Sequence, residues 1–556
     1  MPNPFYLCGM QLPIHQRPVF WQLLSIALLI PAIFSYLGYL PLDTGTDEPR
    51  RALVALEMIL SGDYLTPTLN GELYFNKPPL YNWLIAASFH LFGNYSSFAL
   101  RFPMAVSLLL YGLTIYGLVK PQLGARVAFA AALMLITNTR ILLYDSMLGL
   151  IDITFSWITY TAFILVYRFD QKQKYGALFL STYLLTALGF LMKGLPSLVF
   201  QGLTLLAYFL YTKQFRKLFS PAHFAGIGLF LLIVGSYYLA YFDRNAITPE
   251  KIAAVLFDES AKRTVVQFGI RETLLHMLTF PFEMLYHYAP WMLMVVLLFR
   301  KGVFSWKRPA GPESPSTRLS LITGHPFVLF NVVIFLVNFA IYWSSPQVYA
   351  RYLLMLLPLP FTVFAYVYYE HTAPTDWRRR GWEGLLGVAL VVVALGAWVP
   401  FFFPETQQIP GLWWKCGLMF VGLGFIAYHY IRQPQHRLII LIAFLVMLRN
   451  GFNWLVIPPR LAHRQEYKDS SERIARQSLG KPLYGYKQTI GSDGQTDVNS
   501  FHMEVVRGEI LRRTDRKLPH ALYIADSVSL GNERYQTLSE FDLFDRHPAK
   551  LIRFQP

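Results

Sequence analysis

The sequence predicts an all-α polytopic membrane protein that ends in a small α/β domain outside the membrane. Three observations predict it. Of 556 residues, 54% are hydrophobic and 15% charged, against about 25% charged in soluble domains, and mean hydropathy is +0.36. About thirteen runs approach the roughly 20 apolar residues that a spanning helix needs. From about residue 460 the composition turns polar, opening on Arg464, Lys468, Asp469, Glu472, Arg473 and Arg476. Aromatics at 16% exclude a disordered chain, which is poor in them.

The first run, 20–40, is longer than a signal-peptide core of about 7–15 residues, so it reads as a retained span. A long mixed-charge loop, 41–97, follows it. Further spans fall near 98–118, 126–143, 150–167, 176–192, 195–211, 222–241, 284–299, 325–343, 350–369, 383–402, 412–430 and 438–457. With the N-terminus cytoplasmic, the cytoplasmic loops carry Lys120, Arg126, Arg168, Lys172, Lys174, Lys213, Arg216, Lys217, Arg378, Arg379, Arg380, Arg432 and Arg437. The short loops on the other face carry almost no Lys or Arg, which is the positive-inside pattern. It accounts for much of the +16 net charge as topology and leaves nucleic acid a remote partner. The expected domains are therefore 1–460 in the membrane, with loops 41–97 and 242–283 forming the outer site, and an extracytoplasmic 461–556. Within the latter, 521–525 and 551–554 read as strands. Cys8 and Cys416 are too few and too far apart for a disulfide framework or a metal site.

Few ionisable residues lie mid-span, Arg449 being the clearest exception. Transporters place such groups at the midplane of repeated halves. Here the polar groups gather in the outer loops, which favours chemistry at the membrane surface. In the first loop Thr46 or Asp47 caps a helix that Pro49 opens. Ala52, Ala55, Leu56 and Ile59 form one apolar stripe, as on a helix lying in the interface plane. Asp47 and Glu48 read equally as acids complementing the helix dipole or as catalytic carboxylates. Pro78-Pro79 fixes the backbone after Lys77, which favours a positioned cation over a snorkelling one.

These residues belong to an ordered series: Asp47-Glu48-Pro49-Arg50, Glu57-Met58-Ile59-Leu60-Ser61-Gly62-Asp63, Leu69-Asn70-Gly71, Tyr74-Phe75-Asn76-Lys77-Pro78-Pro79 and Ala99-Leu100-Arg101-Phe102-Pro103. The series resembles the aminoarabinose transferases, GT-C glycosyltransferases that use polyprenyl-phosphate donors. Several motifs in fixed order are far more specific than one short pattern. Asp152, Met192-Lys193-Gly194, the segment from Glu259 to Arg263 and that from Tyr349 to Leu354 are weaker echoes, so the resemblance covers nearly the whole chain. Asn76 stands where the family has Glu, and Ser260 where it has His. A carboxylate is the natural partner of a sugar amine, so its loss brings a neutral sugar or a different amino sugar into view.

The resemblance implies a multi-pass inner-membrane enzyme, acting as a monomer. It would move aminoarabinose or a related sugar from undecaprenyl phosphate to a lipid A phosphate or another envelope lipid or glycan. No cofactor is implied as required, with a divalent metal left open, and the lipid-linked sugar is the donor. Lys77 and Arg263 would clamp the leaving phosphate, with Arg50 and Lys193 in support, because a stable anion needs electrostatic stabilisation more than a proton. Asp47 would be the general base for a hydroxyl acceptor, or would orient the surroundings of a phosphate acceptor, with Glu48 and Asp152 as further carboxylates. Asp152 reads equally as a helix cap, and Lys193 as a helix-end anchor. Tyr74, Asn76, Arg351 and Tyr352 would hold sugar or lipid. The same fold glycosylating protein Ser/Thr or a polysaccharide is the nearest alternative, and a lipid or sugar transporter is the one from another class.

Overall fold

A computed structural model describes residues 17–43, 45–261, 265–299, 324–491, 496–543 and 547–555. Helix α1 (Pro18–Phe34) is followed in the first loop by α2 (Glu48–Ser61) and α3 (Leu80–Phe92). Between these two, strands β1 (Thr68–Leu69) and β2 (Glu72–Leu73) form a hairpin. It turns on Asn70-Gly71, at φ of +52° and +73°, the positive values that a two-residue hairpin turn demands. Two expected spans run together as α4 (Ser97–Thr137), interrupted only at Gly124, where φ is +80°, a conformation open to glycine.

Next come α5 (Thr139–Leu143), α6 (Asp152–Gln171), α7 (Tyr175–Lys193), α8 (Pro196–Tyr211), α9 (Pro221–Arg244), α10 (Pro249–Ala261), α11 (Val265–His287), α12 (Pro326–Trp343) and α13 (Pro358–Tyr366). Helices α14 (Trp377–Leu395), α15 (Pro404–Gln407), α16 (Leu412–Arg432) and α17 (Arg437–Leu455) follow, and α18 (Leu461–Gln477) leads into the C-terminal domain. Six of these begin on proline, whose missing N–H costs nothing in a first turn. Six helical stretches among the described residues are long and apolar enough to cross a membrane, and α1 and α8 are shorter apolar helices.

Two expected spans take another form. Over 284–299, α11 ends at His287 and Met292–Leu298 winds as a 3₁₀ helix. Over 350–369, a short 3₁₀ turn precedes α13, and five π-helical residues, Val367–His371, close it. Pro290, Pro358 and Pro360 lie at these breaks, where each removes a backbone donor.

The chain divides into two compact units. One comprises the chain up to Tyr36 with Thr372–Pro459. There α1 packs on α17, α17 on α16 and α16 on α14. Asn450 and Asn453 donate to the Leu28 and Ala32 carbonyls of α1 at 3.1 and 2.9 Å, interhelical bonds of the kind that hold helices together in lipid.

The other unit comprises Leu37–His371 with the chain from Arg460 onward. Its C-terminal part has β3 (Leu483–Tyr486), α19 (Asp497–Arg507), β4 (Arg512–Thr514), β5 (Leu522–Asp526), α20 (Ser527–Leu530), β6 (Tyr535–Leu543) and β7 (His547–Phe554). The strand order is β4-β3-β5-β7-β6. β3 runs parallel to β4 and β5, while β7 is antiparallel to β5 and β6. Both strands expected from the sequence fall in this sheet. Ile474, Met503, Leu522, Ile524 and Leu551 share its core with neighbouring apolar residues.

Helix α2 is buried on more than the one face that its apolar stripe marked. It packs between α3 and α19, and Leu53, Val54 and Met58 are as buried as Ala52, Ala55 and Leu56. The C-terminal domain covers the face that the apolar stripe alone would leave exposed.

Candidate active site

The N-terminus of α2 gathers the charges. Asp47 occupies its N-cap position without capping it, and its side chain stands 60% exposed at the mouth of the site. Desolvation opposes its ionisation, yet Arg51, Arg351, Arg50 and Lys77 together hold its carboxyl below the usual aspartate range. Arg351 Nη2 lies 3.8 Å from Asp47 Oδ2. The same guanidinium reaches Asp152 Oδ2 from Nε at 3.3 Å, and Lys193 Nζ donates to Asp152 Oδ1 at 2.6 Å. Lys193 also stands over the Tyr352 ring, 4.1 Å from its centroid. Asp152, Lys193, Arg351 and Tyr352, spread over 200 positions of sequence, thus form one cluster with Asp47. Lys77 is half-buried and contributes its charge to Asp47.

Glu48, expected among the catalytic carboxylates, has another place. It is completely buried. Arg101 grips it through two bonds, Nε–Oε1 at 2.7 Å and Nη2–Oε2 at 2.9 Å, and the backbone N–H groups of Gly149 and Asp43 donate to it at 2.6 and 2.7 Å. Arg101 spends its remaining donors on the Leu37, Leu40 and Pro41 carbonyls. With its acceptors taken, Glu48 ties the first loop to α4.

Arg50 also turns elsewhere, its Nε donating to Asp497 Oδ2 of α19 at 2.8 Å. Tyr74 is buried and accepts a hydrogen bond from Arg51, and Asn76 is half-buried one residue before Lys77. Arg263 and the residues beside it from Lys262 to Thr264 lie outside the described residues.

Sequence reasoning missed three contributors. Arg51, which shares Tyr74 and acts on Asp47, could have been found as the second half of the Arg50-Arg51 doublet. The pair Arg140–Asp145, bonded from Nε at 3.1 Å to both oxygens, sits in no motif. Burial outweighs that pair and lifts the Asp145 carboxyl to about 6. Tyr81 is fully buried near Asp152 and Glu48, and an isolated tyrosine gives no signal.

An apolar groove of about 460 Å³ is lined by Leu84, Leu91, Phe102, Leu110, Trp157 and Leu188. Its lining also includes Leu80, Thr154 and Met192, each within three residues of Lys77, Asp152 or Lys193. The charged cluster therefore adjoins a slot suited to hydrocarbon.

Comparison with known proteins bears on the fold and on part of the sequence. The profile of the dolichyl-phosphate-mannose-protein mannosyltransferase family matches residues 76–240. An undecaprenyl phosphate-aminoarabinose transferase of Sodalis glossinidius is 30% identical over 199 residues, 33% of this chain and 34% of that protein. One of Shewanella sediminis is 32% identical over 195 residues, 32% of this chain and 34% of that protein. The matched stretch thus spans about a third of the length of these relatives. The crystal structure of ArnT from Cupriavidus metallidurans bound to undecaprenyl phosphate superimposes with a TM-score of 0.66 at 17% identity, over 96% of this chain and 97% of that one. Its apo form gives 0.65 at the same identity, over 96% and 98%. The chain is thus a polytopic membrane protein of the GT-C fold seen in ArnT, and over a third of its length it is similar in sequence to the undecaprenyl phosphate-aminoarabinose transferases.

Proposed function

We propose that this chain is an integral-membrane glycosyltransferase that takes a sugar from a polyprenyl phosphate and passes it to an envelope acceptor at the outer face of the inner membrane. The observation that carries this reading is the crowd of cations around one exposed carboxylate, Asp47, beside an apolar groove. A transferase of this kind must hold a lipid chain, a phosphate and a sugar in line, and these parts match that need. The relatives named for undecaprenyl phosphate, and the ArnT crystal structure bound to it, support the donor class.

In the reaction the acceptor oxygen attacks the anomeric carbon, and the bond from that carbon to the phosphate oxygen breaks. The electron pair leaves with the polyprenyl phosphate. Lys77, Arg351 and Lys193 supply positive potential for the departing charge, the last two from largely buried side chains where solvent screens them least. Asp152 holds Lys193 and Arg351 against each other and so sets the position of both cations. A hydroxyl acceptor would pass its proton to Asp47, whereas a phosphate acceptor has none to lose. A carboxylate held ionised by four cations is a weak base, which favours the phosphate acceptor and gives Asp47 the task of orienting the reactants. Asn76, neutral where the resembled family has a carboxylate, favours a sugar without an amine at that point over aminoarabinose. Tyr352, whose ring Lys193 stands over, is the aromatic available to sugar or lipid, while the buried Tyr74 holds Arg51.

The test is reconstitution of the full chain with synthetic polyprenyl-phosphate sugars, joined to mass spectrometry of envelope lipids and glycans from cells with and without the protein. The reading expects one glycan or lipid to lose a single sugar in the deletion strain. It also expects polyprenyl phosphate to be released in vitro only when acceptor is present. An unchanged envelope, with no release from any donor, would overturn it.

A further inference from the structure

We propose that a groove on the first unit, between α14 and the pair α16–α17, is a binding site for one anionic diacyl phospholipid. The groove holds about 550 Å³ and has two chemistries. Arg380, Glu383 and Arg437 line its charged part, and Val388, Val391, Val392 and Ile431 line the rest. Gly384 and Gly387, three apart and so on one helix face, open the slot. A Cβ at Gly384 would meet nothing within 4 Å, and one at Gly387 would touch the Tyr430 ring at 3.5 Å.

The charged end is not balanced. Glu383 is shared by Arg379 and Arg437, at 2.7 and 2.6 Å. Arg380 is exposed, with its Nε 3.4 Å from the Pro374 carbonyl. In the groove itself two cations, Arg380 and Arg437, face one carboxylate, Glu383, which the buried Arg379 also holds from behind. They also stand at helix ends where the dipole favours negative charge. α14 opens Trp377-Arg378-Arg379-Arg380, and α17 opens on Arg437 with no side-chain cap from His436. Asp376 already caps α14, accepting from the Arg378 N–H at 2.9 Å, so an anion held in the groove would offset the charge of Arg380 and the uncapped start of α17.

A free phosphate would satisfy the arginines and leave the apolar slot empty. A phospholipid satisfies both, with its phosphate at Arg380 and Arg437 and one acyl chain along the valines. On the inside-positive reading of the loops this end faces the cytoplasm, where anionic lipids collect and basic pockets between helices bind their head groups.

The full chain, purified in detergent, is incubated with phosphatidylglycerol, with phosphatidylcholine or with inorganic phosphate. Bound lipid is counted by native mass spectrometry and Tm is recorded. Phosphatidylglycerol should be retained about tenfold better than phosphatidylcholine, whose choline cation offsets its phosphate and repels the arginines. Gly384→Ile, which fills the slot, and Arg380→Gln, which changes only an exposed side chain, should each remove that preference while Tm without lipid stays put. The site is overturned if the wild type shows no preference or if both variants keep it. It is equally overturned if inorganic phosphate raises Tm as much as phosphatidylglycerol. The arginines would then serve topology alone.

Discussion

At the α2 N-terminus two neighbouring acids meet opposite circumstances. Asp47 is open to solvent and surrounded by Arg51, Arg351, Arg50 and Lys77, whereas Glu48 is sealed inside with Arg101. Asp47→Asn and Lys77→Ala should each slow transfer at least about 10²-fold, the usual weight of one such group, with Tm unchanged. Glu48→Ala should instead unfold the protein more easily, by about 3–5 kcal/mol, because Arg101 would keep a buried charge without its partner. A Glu48→Ala protein of normal Tm and no activity would make Glu48 catalytic after all. The rate should also show no Asp47 titration from neutrality down to the ordinary aspartate value of 3.8, since its pKa lies below that value. A fall in rate near pH 6 would belong to Asp145, and Asp145→Asn would remove it.

Helix α2 carries the next consequence. Glu57 is fully buried and accepts bonds from the Thr68 hydroxyl and the Asn70 and Gly71 N–H groups at 2.5, 2.5 and 3.1 Å. Burial pushes its carboxyl up from 4.5 to about 7, and burial together with the charge of Glu57 raises Glu504 of α19 as well. A carboxyl raised in the folded state contributes stability that is complete below about 4.5 and is lost as pH rises through about 7. Thermal unfolding should therefore show lower stability at pH 8 than at pH 5, by on the order of 3 kcal/mol, and Glu57→Gln should flatten the difference. The spans were legible as apolar runs, and the cap and Pro49 marked where α2 starts. Its full burial was not, because an amphipathic stripe reports one apolar face and says nothing of a distant domain covering the other. The carboxylates and cations of the first loop were legible from their order. The ties of Arg351 and Lys193 to Asp152 join residues 41 to 199 positions apart, for which local spacing gives no signal.

On the scale of the whole second unit, the C-terminal domain grips the first loop at several points. Arg464 pairs with Asp43 at 2.5 Å, Arg50 with Asp497 at 2.8 Å, and Arg513 with Glu72. Asn70 Nδ2 donates to Ser500 Oγ at 2.9 Å and to the Leu511 carbonyl at 3.2 Å. Asp497→Ala together with Asn70→Ala should free the domain to proteolysis and lower the transfer rate in step with it. Cleavage as slow as in the wild type would show that these bonds do not hold it. Arg50 and Asp497 are separated by 447 positions. Arg50 therefore gains its carboxylate only after the chain through α19 has been made, whereas Glu48 meets Arg101 much earlier. A chain that stops before α19 would keep the Glu48–Arg101 tie and lose the Arg50–Asp497 one, so the two halves of one helical turn are secured at different times.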